Sequence, residues 1–342
     1  MKRVLVTGGA GFIGSNLVAR MLKERDHYEV VVLDSLSYSA NLENLAPFED
    51  DPRYSFIRAD VGDDAAVTEA VKGCDGVLHL AAESHVDRSI MDPAPFVASN
   101  TVGTQRLLEA WRRGPGADGL PLVYVSTDEV YGSLSLDNPD ERFTESSPLE
   151  PNSAYSASKA GGDLFARAYH HTFGLNVMTT RCSNNFGPFQ FPEKVIPLFV
   201  TNLIEGEKVP LYGDGKNVRD WIHVDDHAEG IIATLEKGRP GEVYNLGADN
   251  ERSNLELTHA ILEILGHGEE MIKYVPDRLG HDRRYAIDSS KAASDLGWKA
   301  QWSAWPGALE STVAWYKDNE AWWRSVKSGA YRDYYAKQYG GR

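Results

Sequence analysis

The sequence predicts an α/β fold, a doubly wound, mostly parallel sheet followed by a smaller mixed α/β lobe, and three observations carry the prediction. Short β-rich runs alternate with longer helical stretches through the first half. Those runs are apolar from end to end, as strands covered on both faces are. After Arg181 the composition changes, with Pro, Gly, Asn and aromatic residues becoming frequent. At 342 residues, 42% hydrophobic and 10% aromatic, the chain has material for a large core.

The elements follow in order. RVLVT (3–7) leads into a helical stretch at 12–25 and then into YEVVVLD (28–34); YSFIRAD (54–60) comes after a loop and a short helix. DGVLHLA (75–81), a helix through 94–113, PLVYVST (121–127), a long helix through 153–173 and LNVMTTR (175–181) continue the rhythm. Residues 1–181 are therefore expected to form a Rossmann-type domain, with some later segments returning to it, and 182–342 a second lobe. In that lobe VPLYG (209–213) and EVYNLG (242–247) read as short scattered strands, and helices are expected near 194–205, 225–237, 254–265 and 303–318. No Gly/Ser- or Pro-rich linker divides the halves, so both should share one cleft. The aromatic tail, from Trp315 through Trp322 and Trp323 to YRDYYAKQY (331–339), reads as rings packed against the body.

A net charge of −15 argues against a nucleic-acid partner. Cys74 and Cys182 sit in or beside apolar runs and read as buried free thiols, so neither a disulfide nor a metal site is expected. Two lone cysteines, a first strand starting at Arg3 and no apolar stretch of membrane-span length predict a cytoplasmic protein with no membrane partner.

TGGAGFIGS places Gly8, Gly11 and Gly14 between a strand and a helix, and Asp34 ends the next strand. Asp34 falls at the ~20-residue spacing of a ribose-binding acid. Glycines let the backbone reach a pyrophosphate whose charge meets free N–H groups of the helix start around Phe12 and Ile13. An acid at 34 repels a 2′-phosphate, which favours NAD; a plain strand-end turn is its competing role. Asp60 and Val61 end the third strand, where they can meet adenine, while Asp60 can equally cap a helix.

YSASK sets Tyr155 and Lys159 on one helical face. With the strand ending in Ser126–Thr127 they acquire a mechanism: the lysine cation favours a tyrosinate that takes a hydroxyl proton as hydride leaves. Through TGGAGFIGS, HLAA (79–82, including Leu80, Ala81 and Ala82), STDEVYG and YSASK, the chain resembles the extended short-chain dehydrogenase/reductase family. The resemblance implies a Rossmann sheet for NAD(P), a C-terminal lobe for a nucleotide-sugar, and a hydroxyl at Thr127 that assists Tyr155 and Lys159.

TDEVYG, with acids at Asp128 and Glu129, resembles the nucleoside-diphosphate-hexose 4,6-dehydratase branch. Oxidation at C4 acidifies the C5 proton, so elimination needs a base for C5 and an acid for the departing C6 hydroxyl. The resemblance assigns Asp128 as acid and Glu129 as base; the shared site alone requires only that one of the two has a raised pKa. It further implies that Ser84, His85 and Asp87 of HLAAESHVDRSI, and Asn184 and Lys194 of RCSNNFGPFQFPEK, face the sugar, with Ser183 to Asn185 near the nicotinamide. For His85 a structural role competes.

The same resemblance offers Pro210 and Tyr212 to base or ribose, Arg219 to the diphosphate, and Asn254, Arg278 and His281 to the nucleotide pocket. Leu279 departs from the branch's DRPGHD, which puts the placement of Arg278 in question, and Ser39 replaces a more usual Ala. The resemblance also implies a homodimer through the helices at 94–113 and 153–173. dTDP-glucose is the implied substrate, giving the 4-keto-6-deoxy sugar with NAD regenerated. A UDP- or GDP-sugar dehydratase is an alternative, as are a 4-epimerase, which has no use for the two acids, and an NAD-binding sensor or scaffold, which can dispense with the whole constellation.

Overall fold

The computed structural model describes residues 1–327. Its strands are β1 (Lys2–Thr7), β2 (Tyr28–Asp34), β3 (Tyr54–Arg58), β4 (Gly76–His79), β5 (Leu122–Thr127), β6 (Val177–Cys182), β7 (Asn184–Phe186), β8 (Val209–Tyr212), β9 (Val218–His223), β10 (Val243–Leu246), β11 (Glu251–Ser253) and β12 (Ile272–Val275). Seven of them form one parallel sheet, ordered β10-β6-β5-β4-β1-β2-β3. Strand order reverses beside β1, and the crevice at the carboxyl ends there is where ligands of such sheets bind.

Alternation along the strands sends side chains to two cores. Val4, Val6, Val30 and Val32 pack with Leu17, Met21, Ile231 and Ile232 from helices Phe12–Glu24 and Val224–Lys237. Leu5, Val31 and Leu33 pack instead with Leu107, Leu108, Trp111 and Ala166 from helices Thr104–Arg113 and Ala154–Phe173. Burial on both faces explains why the strands read as continuous apolar runs.

Three expectations change in detail. EVYNLG, read as a scattered strand of the second lobe, is β10 and pairs with β6 at the edge of the main sheet. The stretch 94–113 is helical throughout, but Val97–Gly103 is wound as a π-helix between α-helical ends. In that wider stretch the Asn100 amide donates to the Ser158 hydroxyl at 2.8 Å and its carbonyl accepts from Glu83 N–H at 2.8 Å, tying the helix to its neighbours. The last expected helix begins at Gly307, because Ser303 is held outside it, donating to Asp226 at 2.5 Å and accepting from His223 N–H at 2.8 Å.

Residues after Cys182 also build the sheet β11-β9-β7 and the pair β12-β8, with helices Val195–Ile204, Asn254–Leu265 and Gly307–Asp318 around a third core. Trp323 is fully buried, Trp315 packs on Phe189 at 4.8 Å, and the Trp322 indole donates to Asn44 at 2.9 Å. The rest of the aromatic tail, 331–339, lies outside the described residues.

Helix Ala154–Phe173, which carries Tyr155 and Lys159, is fixed to β6 by a buried bidentate pair: Arg181 donates to both Asp163 oxygens, at 2.8 and 2.9 Å. Arg181→Met leaves the Asp163 carboxylate buried without its partner and is expected to cost about 3–5 kcal/mol in denaturant unfolding.

Candidate active site

A cavity of about 670 Å³ opens at the carboxyl ends of β1, β2, β4 and β5. Every residue expected to bind the cofactor lines it: Gly8, Gly11, Phe12, Ile13, Gly14, Asp34, Asp60, Val61, Leu80, Ala81, Ala82, Tyr155, Lys159 and Asn185. Gly8 has φ +72°, and a Cβ there would lie 2.7 Å from Ala81 N; one on Gly14 would lie 2.1 Å from Gly8 O. Helix Phe12–Glu24 starts at Gly11 with no side-chain cap and no acid in its first turn, so its N–H groups face the cavity uncompensated. A dinucleotide pyrophosphate fits this cradle.

Asp34 lines the cavity, and its carboxylate accepts from Ala10 N–H at 3.0 Å and Leu36 N–H at 2.8 Å, the contacts of a strand-end turn. Asp60 accepts from Gly62 N–H at 2.6 Å, and the helix cap it was a candidate for is Asp63, which accepts from Ala65 and Ala66 N–H. No basic side chain occurs in the Ser35–Asn41 loop to meet a 2′-phosphate.

Thr127, Asp128 and Glu129 stand at the end of β5, opposite Tyr155 and Lys159, and all five line the cavity. The Thr127 hydroxyl donates to Asp128 at 3.3 Å and accepts from Glu129 N–H at 3.3 Å. Burial, with the Glu129 charge second, holds the Tyr155 phenol well above its ordinary pKa, and Thr127 is the group that pulls it back. This differs from a simple lysine–tyrosinate pair: Lys159 donates to Val125 O at 2.7 Å, and burial lowers its pKa to about 8.

Burial raises both acids, and the charges around them differ. Burial raises Asp128 well above the carboxylate range, and Glu129 and Asp220 add to the effect; its Oδ2 is buried with no protein partner. Burial also raises Glu129, but Arg278, Arg219 and Lys194 oppose it.

A second cavity of about 170 Å³ continues from the first, with Ser84, Glu129, Asn184 and Lys194 lining both. His85, Asp87, Pro210, Tyr212, Arg219, Asn254, Arg278 and His281 also line it. Arg219 lies 4.2 Å over the Tyr285 ring and donates to Val218 O and Asp282 O, while Arg278 reaches to 4.0 Å from Asp87 and its Nε is buried without a partner. Leu279 is 77% exposed, so the departure from proline leaves that guanidinium in the site. His85 takes the structural role as well: it caps helix Val86–Met91 by accepting from Arg88 N–H, and burial lowers its pKa to about 3. Asn185 is pinned by His227 at 2.9 Å and by its own donation to Ser183 O.

Among the lining residues not singled out in the sequence, Tyr285 and Glu193 hold others in place. Tyr285 underlies Arg219 and donates to Asp282 at 2.5 Å, and Glu193 lines both cavities. Both lie inside stretches already quoted, RRYAID and FPEKVIP, and for Glu193 the only local signal was an acid beside Lys194.

The family model described as GDP-mannose 4,6 dehydratase matches residues 5–308. A dTDP-glucose 4,6-dehydratase of an Actinoplanes species is 51% identical over 94% of this chain and 99% of its own length, and that of Salmonella typhimurium is 44% identical over 99% of both. The solved dTDP-glucose 4,6-dehydratase DesIV of Streptomyces venezuelae, with NAD bound, superposes at a TM-score of 0.91 with 49% identity, covering 95% of this chain and all of that one. The Thermus thermophilus UDP-glucose 4-epimerase, also solved with NAD, superposes at 0.83 with 32% identity over 93% of this chain and 99% of its own. The chain belongs to the nucleotide-sugar 4,6-dehydratase family, alongside the dTDP-glucose enzymes.

Proposed function

We infer that the chain is an NAD-dependent dTDP-glucose 4,6-dehydratase, forming dTDP-4-keto-6-deoxyglucose. The observation that carries this reading is the acid pair in the first cavity, Asp128 biased toward its protonated form and Glu129, which also lines the second cavity, beside three cations. A 4-epimerase shares the sheet and the cofactor but needs neither acid. NAD, when bound, accepts hydride from C4 and returns it to C6. Tyr155, assisted by Thr127 and Lys159, takes the C4 hydroxyl proton; Glu129 then removes the C5 proton while Asp128 protonates the leaving C6 hydroxyl, which departs as water. Arg219 and Arg278 hold the diphosphate, and Pro210, Tyr212, Asn254 and His281 bound the nucleoside. Incubation with dTDP-glucose should yield a 4-keto sugar with its alkali-developed absorbance, and UDP- and GDP-glucose should react more slowly. Protein that holds NAD intact yet forms no keto sugar refutes the dehydratase reading.

We further propose a homodimer. Val97, Val102, Leu164, Phe165 and Phe173, on helical segments 94–113 and 154–173, are 36 to 55% exposed, an apolar surface that a second copy would cover. Leu164→Glu should convert a dimer to a monomer in light scattering; an unchanged dimer excludes this face. Two buried free thiols fit a reducing, cytoplasmic setting, and no described helix is long and apolar enough to cross a membrane.

A further inference from the structure

We propose that the Tyr38–Glu193 hydrogen bond is a latch that closes the chain over the bound dinucleotide, an inference that rests on the NAD reading above. Tyr38 stands in the loop after β2, whose Ser35, Ser37 and Ser39 line the cofactor cavity. Glu193 stands in the segment after β7, whose Gln190 and Phe191 line the same cavity. The Tyr38 hydroxyl donates to one Glu193 oxygen at 2.7 Å, and the Arg88 Nε donates to the other at 3.0 Å. The Arg88 guanidinium also lies 3.9 Å over the Tyr38 ring.

One carboxylate, with its side chain 1% exposed, thereby joins three segments far apart in sequence: the cofactor loop, the helix that follows the sugar-facing Ser84–His85, and the segment that carries Lys194. Lys194 reinforces the junction by donating to Ser84 O at 2.6 Å. Both loops are bent through a non-glycine residue in left-handed backbone, Leu36 at φ 58° and Phe189 at φ 66°. Such conformations persist only where surrounding contacts over-determine them. The latch supplies such contacts to both loops, so its loss should favour their opening. A cofactor that is reduced and reoxidised on the same sugar has no need to leave between turnovers, and a closed loop keeps the reduced form from escaping mid-cycle.

Tyr38→Phe removes only the hydroxyl and keeps the ring under Arg88. The measurement is exchange of bound NAD for excess etheno-NAD on the full-length protein, followed by fluorescence, together with thermal unfolding of the cofactor-free protein. Loss of a hydrogen bond to a charged acceptor should speed exchange about tenfold, with the melting temperature and the turnover at saturating NAD unchanged. An unchanged exchange rate overturns the latch and leaves the NAD reading standing. Faster exchange with a matching fall in melting temperature assigns the bond to folding and also overturns it. A wild-type chain that takes up no NAD overturns both.

Discussion

Tyr155→Phe should lower the rate of C4 oxidation about a thousandfold, within the range for loss of a positioned proton acceptor, so that added dTDP-glucose no longer produces the absorbance of bound NADH in a single turnover. The neighbouring groups explain why no substitute is at hand. The Lys159 ammonium, anchored on Val125 O, can donate but not accept a proton, and the Thr127 hydroxyl is shared with Asp128 and Glu129 N–H. The phenol begins with a raised pKa because burial and the Glu129 charge oppose tyrosinate. The substrate hydroxyl therefore transfers its proton to the minority tyrosinate form as hydride leaves, and the raised pKa makes that tyrosinate the stronger base. Nucleotide-sugar affinity, read by calorimetry, should survive in the variant, because Arg219 and Arg278 lie in the second cavity. NADH formation at the wild-type rate would remove Tyr155 from the role.

The first half of this site was legible because its signals are local. Gly8 to Gly14, Asp34 and the Tyr155–Lys159 spacing each state a backbone or helical requirement within one βα unit, and the strands read as continuous apolar runs because both faces are covered. What escaped is set by pairing between distant segments. Nothing inside EVYNLG distinguishes an edge strand of the main sheet from a strand of the second lobe, since its partner β6 lies some sixty residues earlier. Glu193 looks like a solvated loop acid until Tyr38 and Arg88 are brought to it. The π-helical turn at Val97–Gly103 likewise depends on Glu83 and Ser158, which belong to other elements.

The division of labour between the acids depends on the same distant contacts, and it yields a pair of substitutions with opposite signatures. Glu129→Gln should still form NADH on mixing with dTDP-glucose but stop at the 4-keto stage, lowering turnover by about a thousandfold, with no exchange of the C5 proton into deuterated solvent. Asp128→Asn should retain C5 exchange and stall at loss of the C6 hydroxyl, because Asn cannot deliver the proton. The electrostatics favour this assignment over its reverse. Both acids ionise against burial, but Glu129 has Arg278, Arg219 and Lys194 to offset it, with Asp282 opposing, whereas Asp128 has only Arg219 and Thr127 against the added charges of Glu129 and Asp220. On this assignment the reacting form has Glu129 charged and Asp128 neutral. Activity should fall at low pH as Glu129 takes up a proton and at high pH as Asp128 gives one up, the two limbs belonging to the coupled pair. In Glu129→Gln the acid limb of the residual rate should disappear. If C5 exchange instead persists in Glu129→Gln and is lost in Asp128→Asn, the roles are reversed, and the three cations around residue 129 serve the diphosphate rather than the base.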